Sequence, residues 1–228
     1  MFENEDSDNE IVNSVVLFEE MIAGRSFTFF DVEDFEKIID YYIEIDFKDK
    51  ANIALDWAMK QFPNDLTLTL IKVDFLNSDQ KFIESFKYLE DLEQFYPFNI
   101  DVILNLAKLY SITDQYHSAV IFLDKAYNLA ILDSTYNDIL SDIAYEFLQI
   151  GQNRKAILVM KKILEIDPSN ESTLMELGVA YHETGQFNEA INYFNEVINE
   201  NPYSHLAWFN LGTIFNVNEE WNDAKIFM

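Results

Sequence analysis

Three histidines and 41 carboxylates are what this chain offers for acid–base or metal chemistry. His117, His182 and His205 show neither His-x3-His nor His-Glu-x2-His spacing, so no pair of them converges on one helix face to hold a metal. Neighbouring acids such as Glu19–Glu20 and Glu219–Glu220 follow from composition alone. An acid/base pair needs two carboxyls in a cleft with separated pKa values, and nothing in the sequence marks one. The 5 glycines are isolated, which rules out a phosphate-cradling loop, and there is no G-x-S-x-G elbow. With 0 cysteines there are no thiolate nucleophiles, thiolate metal ligands or disulfides. The expectation is a chain that is not an enzyme and takes no cofactor and no metal.

What remains is binding, and charge limits its partners. The formal net charge is −26, and residues 1–50 alone carry 15 acids against 4 bases. Such a surface repels phosphate backbones and anionic lipid heads, so neither nucleic acid nor membrane is expected as a partner. The N-terminus, MFENEDSDNE, lacks the basic and apolar regions of a secretory signal. No uninterrupted apolar run is long enough to span a membrane. A cytoplasmic location is the simplest expectation.

The elements that must position any binding residues are helices. Hydrophobic residues make up 49 % of the chain, with only 5 glycines and 4 prolines. Pro63, Pro97, Pro168 and Pro202 are separated by 34, 71 and 34 residues, and 71 is one unit of 34 plus one of 37. Units that end just after each proline begin at Val32, Leu66, Ile100, Asn137, Glu171 and His205. Their twentieth position holds Ala51, Ser85, Ala119, Ala156, Ala190 and Ala224, all small. The eleventh holds Tyr42, Leu76, Tyr110, Phe147, Tyr181 and Phe215; the twenty-fourth holds Leu55, Leu89, Leu123, Met160, Phe194 and Met228. Small residues allow helix backbones to approach and large ones fill the spaces between. Each proline fixes its own φ and biases the preceding residue away from the helical region, ending a helix. A period near 34 with these columns indicates stacked antiparallel helix pairs.

The sequence resembles the tetratricopeptide repeat (TPR) family, whose pattern is W-x2-L-G-x2-Y, then A-x3-F, then P. Residues 171–204 carry it through Leu177, Gly178, Tyr181, Ala190, Phe194 and Pro202, and residues 208–228 carry its first half from Trp208, Leu211, Gly212 and Phe215. The units at 137–170 and 100–136 match at Ala144, Phe147, Ala156 and Pro168, and at Ala107, Tyr110, Ala119 and Leu123. The first two units match less closely, with Ile39 and Val73 in place of the small eighth residue. The resemblance implies an all-α fold, a right-handed α-solenoid of stacked antiparallel helix pairs. The expected organisation is an acidic disordered tail at 1–9, then a capping helix and aromatic connector at 10–31, with Asp31 as N-cap. The array follows at 32–228, in units 32–65, 66–99, 100–136, 137–170, 171–204 and a truncated 205–228. In the long unit the second helix is expected to run to about Leu132, with the turn beginning at Asp133 or Ser134.

In the family, groove side chains come from the second, fifth, sixth, ninth and twelfth positions. Carried over, these give Glu33, Glu36 and Asp40; Asp74 and Asn77; and Asp101, Leu104, Asn105 and Lys108. The later units give Asp138, Asp142 and Tyr145; Met175, Glu176 and His182; and Phe209, Asn210, Thr213 and Asn216. Lys108 is the only lysine of this set, so the lysine-rich carboxylate clamp that grips chaperone tails is absent. The implied function is a non-catalytic scaffold or adaptor that holds a basic or neutral peptide or helix in its groove. Two alternatives stand beside it. The chain stops at Met228 inside a helix, so a second copy could cover that edge, where Trp208, Phe215, Trp221 and Phe227 cluster, giving a homodimer. Otherwise the array is the repeat region of a longer enzyme or regulator.

Overall fold

The computed structural model describes residues 3–217. Among them the chain forms twelve α-helices and one short 3-10 turn, with no strand. It divides into two compact units, Met1–Phe95 and Tyr96–Met228.

The first unit holds α1 (Glu3–Ile22), α2 (Val32–Glu44), α3 (Lys48–Gln61), α4 (Leu66–Ser78) and α5 (Phe82–Phe95). α1 begins within the stretch expected to be an acidic tail and packs against α2. Phe18 of α1 is fully buried and meets Phe30 and Phe35 edge-on, with ring centroids 6.1 and 6.2 Å apart. Of the FTFF connector only Phe30 is buried; Phe27 and Phe29 are exposed. Glu19 completes the contact: it accepts hydrogen bonds from Lys50 and, at 3.1 Å, from the Tyr42 hydroxyl. The Lys50 ammonium also lies 5.4 Å from the centre of the Tyr42 ring.

The second unit holds α6 (Ile100–Ile112), α7 (Tyr116–Ala130), the 3-10 turn Ser134–Tyr136, α8 (Ile139–Gln149) and α9 (Asn153–Ile166). α10 (Glu171–Glu183), α11 (Phe187–Glu200) and α12 (His205–Val217) complete it. One continuous core runs from Ile100 to Ile214 and includes Ala119, Phe147, Ala156, Met160, Ala190 and Phe194.

The sequence columns explain this regularity. Five of the six first helices start at the first position of a unit, at Val32, Leu66, Ile100, Glu171 and His205. All five described second helices start at the seventeenth, at Lys48, Phe82, Tyr116, Asn153 and Phe187. Ala51, Ser85, Ala119, Ala156 and Ala190 are each fully buried. Ala224 and Met228 lie outside the described residues. Asp31 caps α2 with a reciprocal capping box, and Asp65, Asn99 and Asn170 cap α4, α6 and α10 from the same place in their units. Phe62, Asp167 and Asn201, each before a proline, leave the helical region and end α3, α9 and α11.

The long unit differs from expectation in two ways. α7 ends at Ala130 rather than Leu132, which lies exposed in the following turn. Asp133 then accepts from Thr135 N and Oγ1 at 3.0 and 2.9 Å, and its side chain nucleates the 3-10 turn. Tyr136 occupies the place where four other units carry Asp or Asn and the last carries Ser204. α8 therefore lacks a side-chain cap and starts two residues late, at Ile139.

Candidate protein-binding surface

Within the second unit the first helices approach one another more closely than the second helices do: α6 meets α8 and α10 meets α12. These first helices carry most of the residues marked from the sequence: Asp101, Asp142, Tyr145, Glu176 and Phe209 are exposed, and Asn105, Lys108, Met175, His182, Asn210, Thr213 and Asn216 are half-buried. Leu104 is buried, so it supports the face rather than presenting a side chain.

Asp138 is the exception. It precedes α8 because the late start of that helix leaves the second position outside it, and its carboxylate makes no capping bond.

Several polar side chains on this face are tied to their own helix. Asn105 Nδ2 donates to Asp101 O at 2.9 Å, and Thr213 Oγ1 donates to Phe209 O at 3.0 Å. Asn210 Nδ2 lies 3.9 Å from Met175 Sδ, bridging α12 and α10. His182 rests against Phe187, with ring centroids 5.6 Å apart, which turns it toward the helix–helix corner. Asn216 Oδ1 is buried with no hydrogen-bond partner.

The electrostatic centre of the face is Glu146, which the sequence pattern did not mark. It sits at the tenth position of its unit, next to Tyr145. Burial pushes its carboxyl above the usual range; Lys108 opposes that shift and Asp142 adds to it. Glu176 has an exposed side chain, and the partial desolvation of its carboxyl raises it against a hydrogen bond from Ser172. Glu146 was visible only as one acid among many; its partial burial against a neighbouring helix is a tertiary fact. α8 and α10 are thus acidic along this face, while α6 balances Asp101 with Lys108 and α12 carries no acid or base other than His205.

In the first unit the marked residues fall in separate places. Asp40 lines a hollow between α1 and α2 with Ile11, Val12, Lys37, Tyr41 and Glu44. Asp74 lines another with Ile43, Asp46, Lys48, Phe75 and Ser78. Glu36 is raised first by burial and then by Asp65, Asp40, Glu33 and Asp31 around it. Asn77 Oδ1 is buried without a partner. Trp221 and Phe227 of the expected C-terminal edge lie outside the described residues; Trp208 Nε1 donates to Pro202 O at 2.9 Å. Among the described residues no helix is long and apolar enough to cross a membrane, and no group of three His, Cys, Asp or Glu could hold a metal ion.

Paired helices in fixed register, a small residue at each close approach and a proline after most second helices define a helical-repeat protein. Two family models, both described as tetratricopeptide repeat, match residues 147–214 and 100–130. These two stretches are tetratricopeptide repeats, which typically serve as non-catalytic scaffolds for protein interaction. The fold is shared with a tetratricopeptide repeat protein from Parabacteroides merdae, at TM-score 0.62 and 17 % identity over 86 % of this chain and 76 % of that one. It is also shared with YrrB, a TPR protein with an unusual peptide-binding site, at TM-score 0.56 and 15 % identity over 76 % and 88 %. Residues 41 to the end of MamA from Desulfovibrio magneticus RS-1 align at TM-score 0.56 and 16 % identity over 71 % and 89 %. No curated protein matches the chain.

Proposed function

We propose that the first-helix face of the second unit holds an extended or helical protein segment that carries lysine or arginine beside apolar side chains. One observation carries this: Glu146 is half-buried, which raises its carboxyl, beside exposed Tyr145 and on first helices that also present Glu176, Met175 and Phe209. A carboxylate held in partly desolvated surroundings without full compensation gains from an arriving cation. The apolar neighbours supply contact area that charge alone does not. The likeness to YrrB, a peptide-binding repeat protein of the same fold, supports the same reading.

The test is fluorescence anisotropy with short labelled peptides of Lys and Leu, of Glu and Leu, and of Ser and Leu. The Lys–Leu peptide is expected to bind best. The Glu146→Gln/Glu176→Gln variant should weaken it about tenfold, as the loss of roughly 1.4 kcal/mol. Equal binding by wild type and variant would overturn the assignment of this face.

A further inference from the structure

We propose that the second-helix side of the same unit carries another docking site, of opposite charge, for an acidic protein segment with large apolar side chains. The site is a hollow of ≈ 420 Å³ formed by Tyr127 of α7 and by Arg154, Ile157, Leu158, Lys161, Lys162 and Glu165 of α9. The α9 residues follow the i, i+3, i+4, i+7, i+8, i+11 spacing of a single helical stripe. Their order along it is cation, two aliphatics, two cations, and then Glu165, which is already paired with Lys162. From Arg154 to Lys162 the stripe is about 12 Å long at 1.5 Å per residue. A segment with an apolar pair between two acidic ends of that separation complements it directly.

Charge makes the site distinctive. The chain has 15 lysines and arginines against 41 acids, yet four of the 15 fall within residues 154–162. Most of these cations already have a partner: Lys155 pairs with Asp124 at 2.6 Å and Lys162 with Glu165 at 2.7 Å. The Lys161 ammonium lies 5.5 Å from the centre of the Tyr181 ring. Arg154 makes no ion pair among the described residues, and it stands in the first turn of α9, where the helix dipole disfavours a cation. A carboxylate from a partner would relieve that position and could be held bidentately. Leu158 is 54 % exposed beside it, an apolar floor with nothing over it. That floor favours an acidic protein segment with apolar side chains over a nucleic acid, which would gain nothing from leucine.

The experiment uses the full chain at about 150 mM salt, where screening over ~8 Å mutes the remote carboxylates but not contacts. The probes are a labelled peptide of Glu and Leu, one of Glu and Ser, and the Lys–Leu peptide above. Glu–Leu is expected to bind and Glu–Ser to bind at least about tenfold more weakly. Arg154→Glu/Lys162→Glu and, separately, Leu158→Ser should each lose Glu–Leu binding while keeping Lys–Leu binding, and Glu146→Gln/Glu176→Gln should do the reverse. Arg154→Ala, at an exposed position with no ion pair among the described residues, is a variant that should fold, and it should also weaken Glu–Leu binding. Glu–Leu binding that is unchanged in the 154 and 162 variants, or matched by Glu–Ser, overturns the proposal. So does sedimentation showing that wild type self-associates and the charge-reversed variant does not, since the occupant is then a second copy. Failure of this site leaves Lys–Leu binding intact, so the two readings fall separately.

Discussion

Gln80 sits at φ 60° in the turn between α4 and α5, the place that glycine takes at Gly151 and Gly185 in later units. Asp46 and Asp114 stand there too, at φ 59° and 58°. Left-handed backbone is unfavourable for an L-residue with a side chain, less so for Asp than for Gln. Gln80→Gly is therefore expected to stabilise the protein by about 0.5–1 kcal/mol after glycine's own entropy cost, read as a rise in thermal midpoint. Gly178 is constrained for another reason: a Cβ there would lie 2.4 Å from Phe194 Cε1. Gly178→Ala should destabilise by about 1–3 kcal/mol in urea unfolding, since Phe194 is packed at the centre of the core and has little room to move. Both sites sit in columns the sequence displays, but only the second was legible there. Gly178 matched a repeat motif, whereas the left-handed turn shows itself in sequence only where it happens to be glycine. Glu146 was hidden for a similar reason, since its burial depends on a neighbouring helix and not on any residue type.

At the level of elements, α1 and α8 separate what pattern can and cannot specify. Of the apolar residues at helical spacing in this helix, Ile11, Val15, Phe18 and Ile22, Phe18 is sealed against Phe30 and Phe35 and Val15 is buried, whereas Ile22 is exposed. Phe18→Ala should cost about 3–5 kcal/mol, the range for a large aromatic removed from a core. Hydrogen exchange is the apt measurement, because protection should fall in α1, α2 and α3, which share that core, and persist in α9, α10 and α11. If all helices lost protection equally, the first core would not be a separate cooperative element. α8 is the opposite case. The proline spacing exposed an insertion, and the spacing of Ala144 and Phe147 located the helix. Its start, however, was decided by Tyr136 standing where a capping Asp or Asn is needed, and by Asp133 forming its own turn. Capping chemistry acts over two or three residues, and a repeat period of 34 does not resolve it. That shift left Asp138 just before α8, with Asp142, Tyr145 and Glu146 within it.

For the whole molecule the governing quantity is its charge of −26, and it acts on stability as well as on partners. Glu36, Glu146 and Glu176 are raised in the folded protein, mainly by burial. A raised carboxyl binds its proton more tightly folded than unfolded, so these three favour folding at low pH and lose that contribution as pH rises through their folded pKa values. Glu19 is lowered by its hydrogen bonds from Lys50 and Tyr42, and Asp79 by those from Lys48 and Lys81. Those two favour folding above the ordinary carboxylate range and lose their contribution as pH falls through their folded values. Between these opposed groups, mild acid also reduces the mutual repulsion of the excess carboxylates. The thermal midpoint should therefore be higher near pH 5.5 than at pH 7.5 in low salt, roughly one unit or more above the usual carboxylate range. Raising ionic strength to about 0.5 M should narrow that gap, because exposed repulsion is screened and burial is not. What survives at high salt should shrink in Glu146→Gln/Glu176→Gln, whose midpoint at pH 7.5 should exceed wild type. A variant less stable than wild type at that pH would mean that Lys108 and Ser172 compensate these carboxylates fully. The face would then have no unmet demand for a cation, and its assignment as a site for basic segments would lose its physical basis.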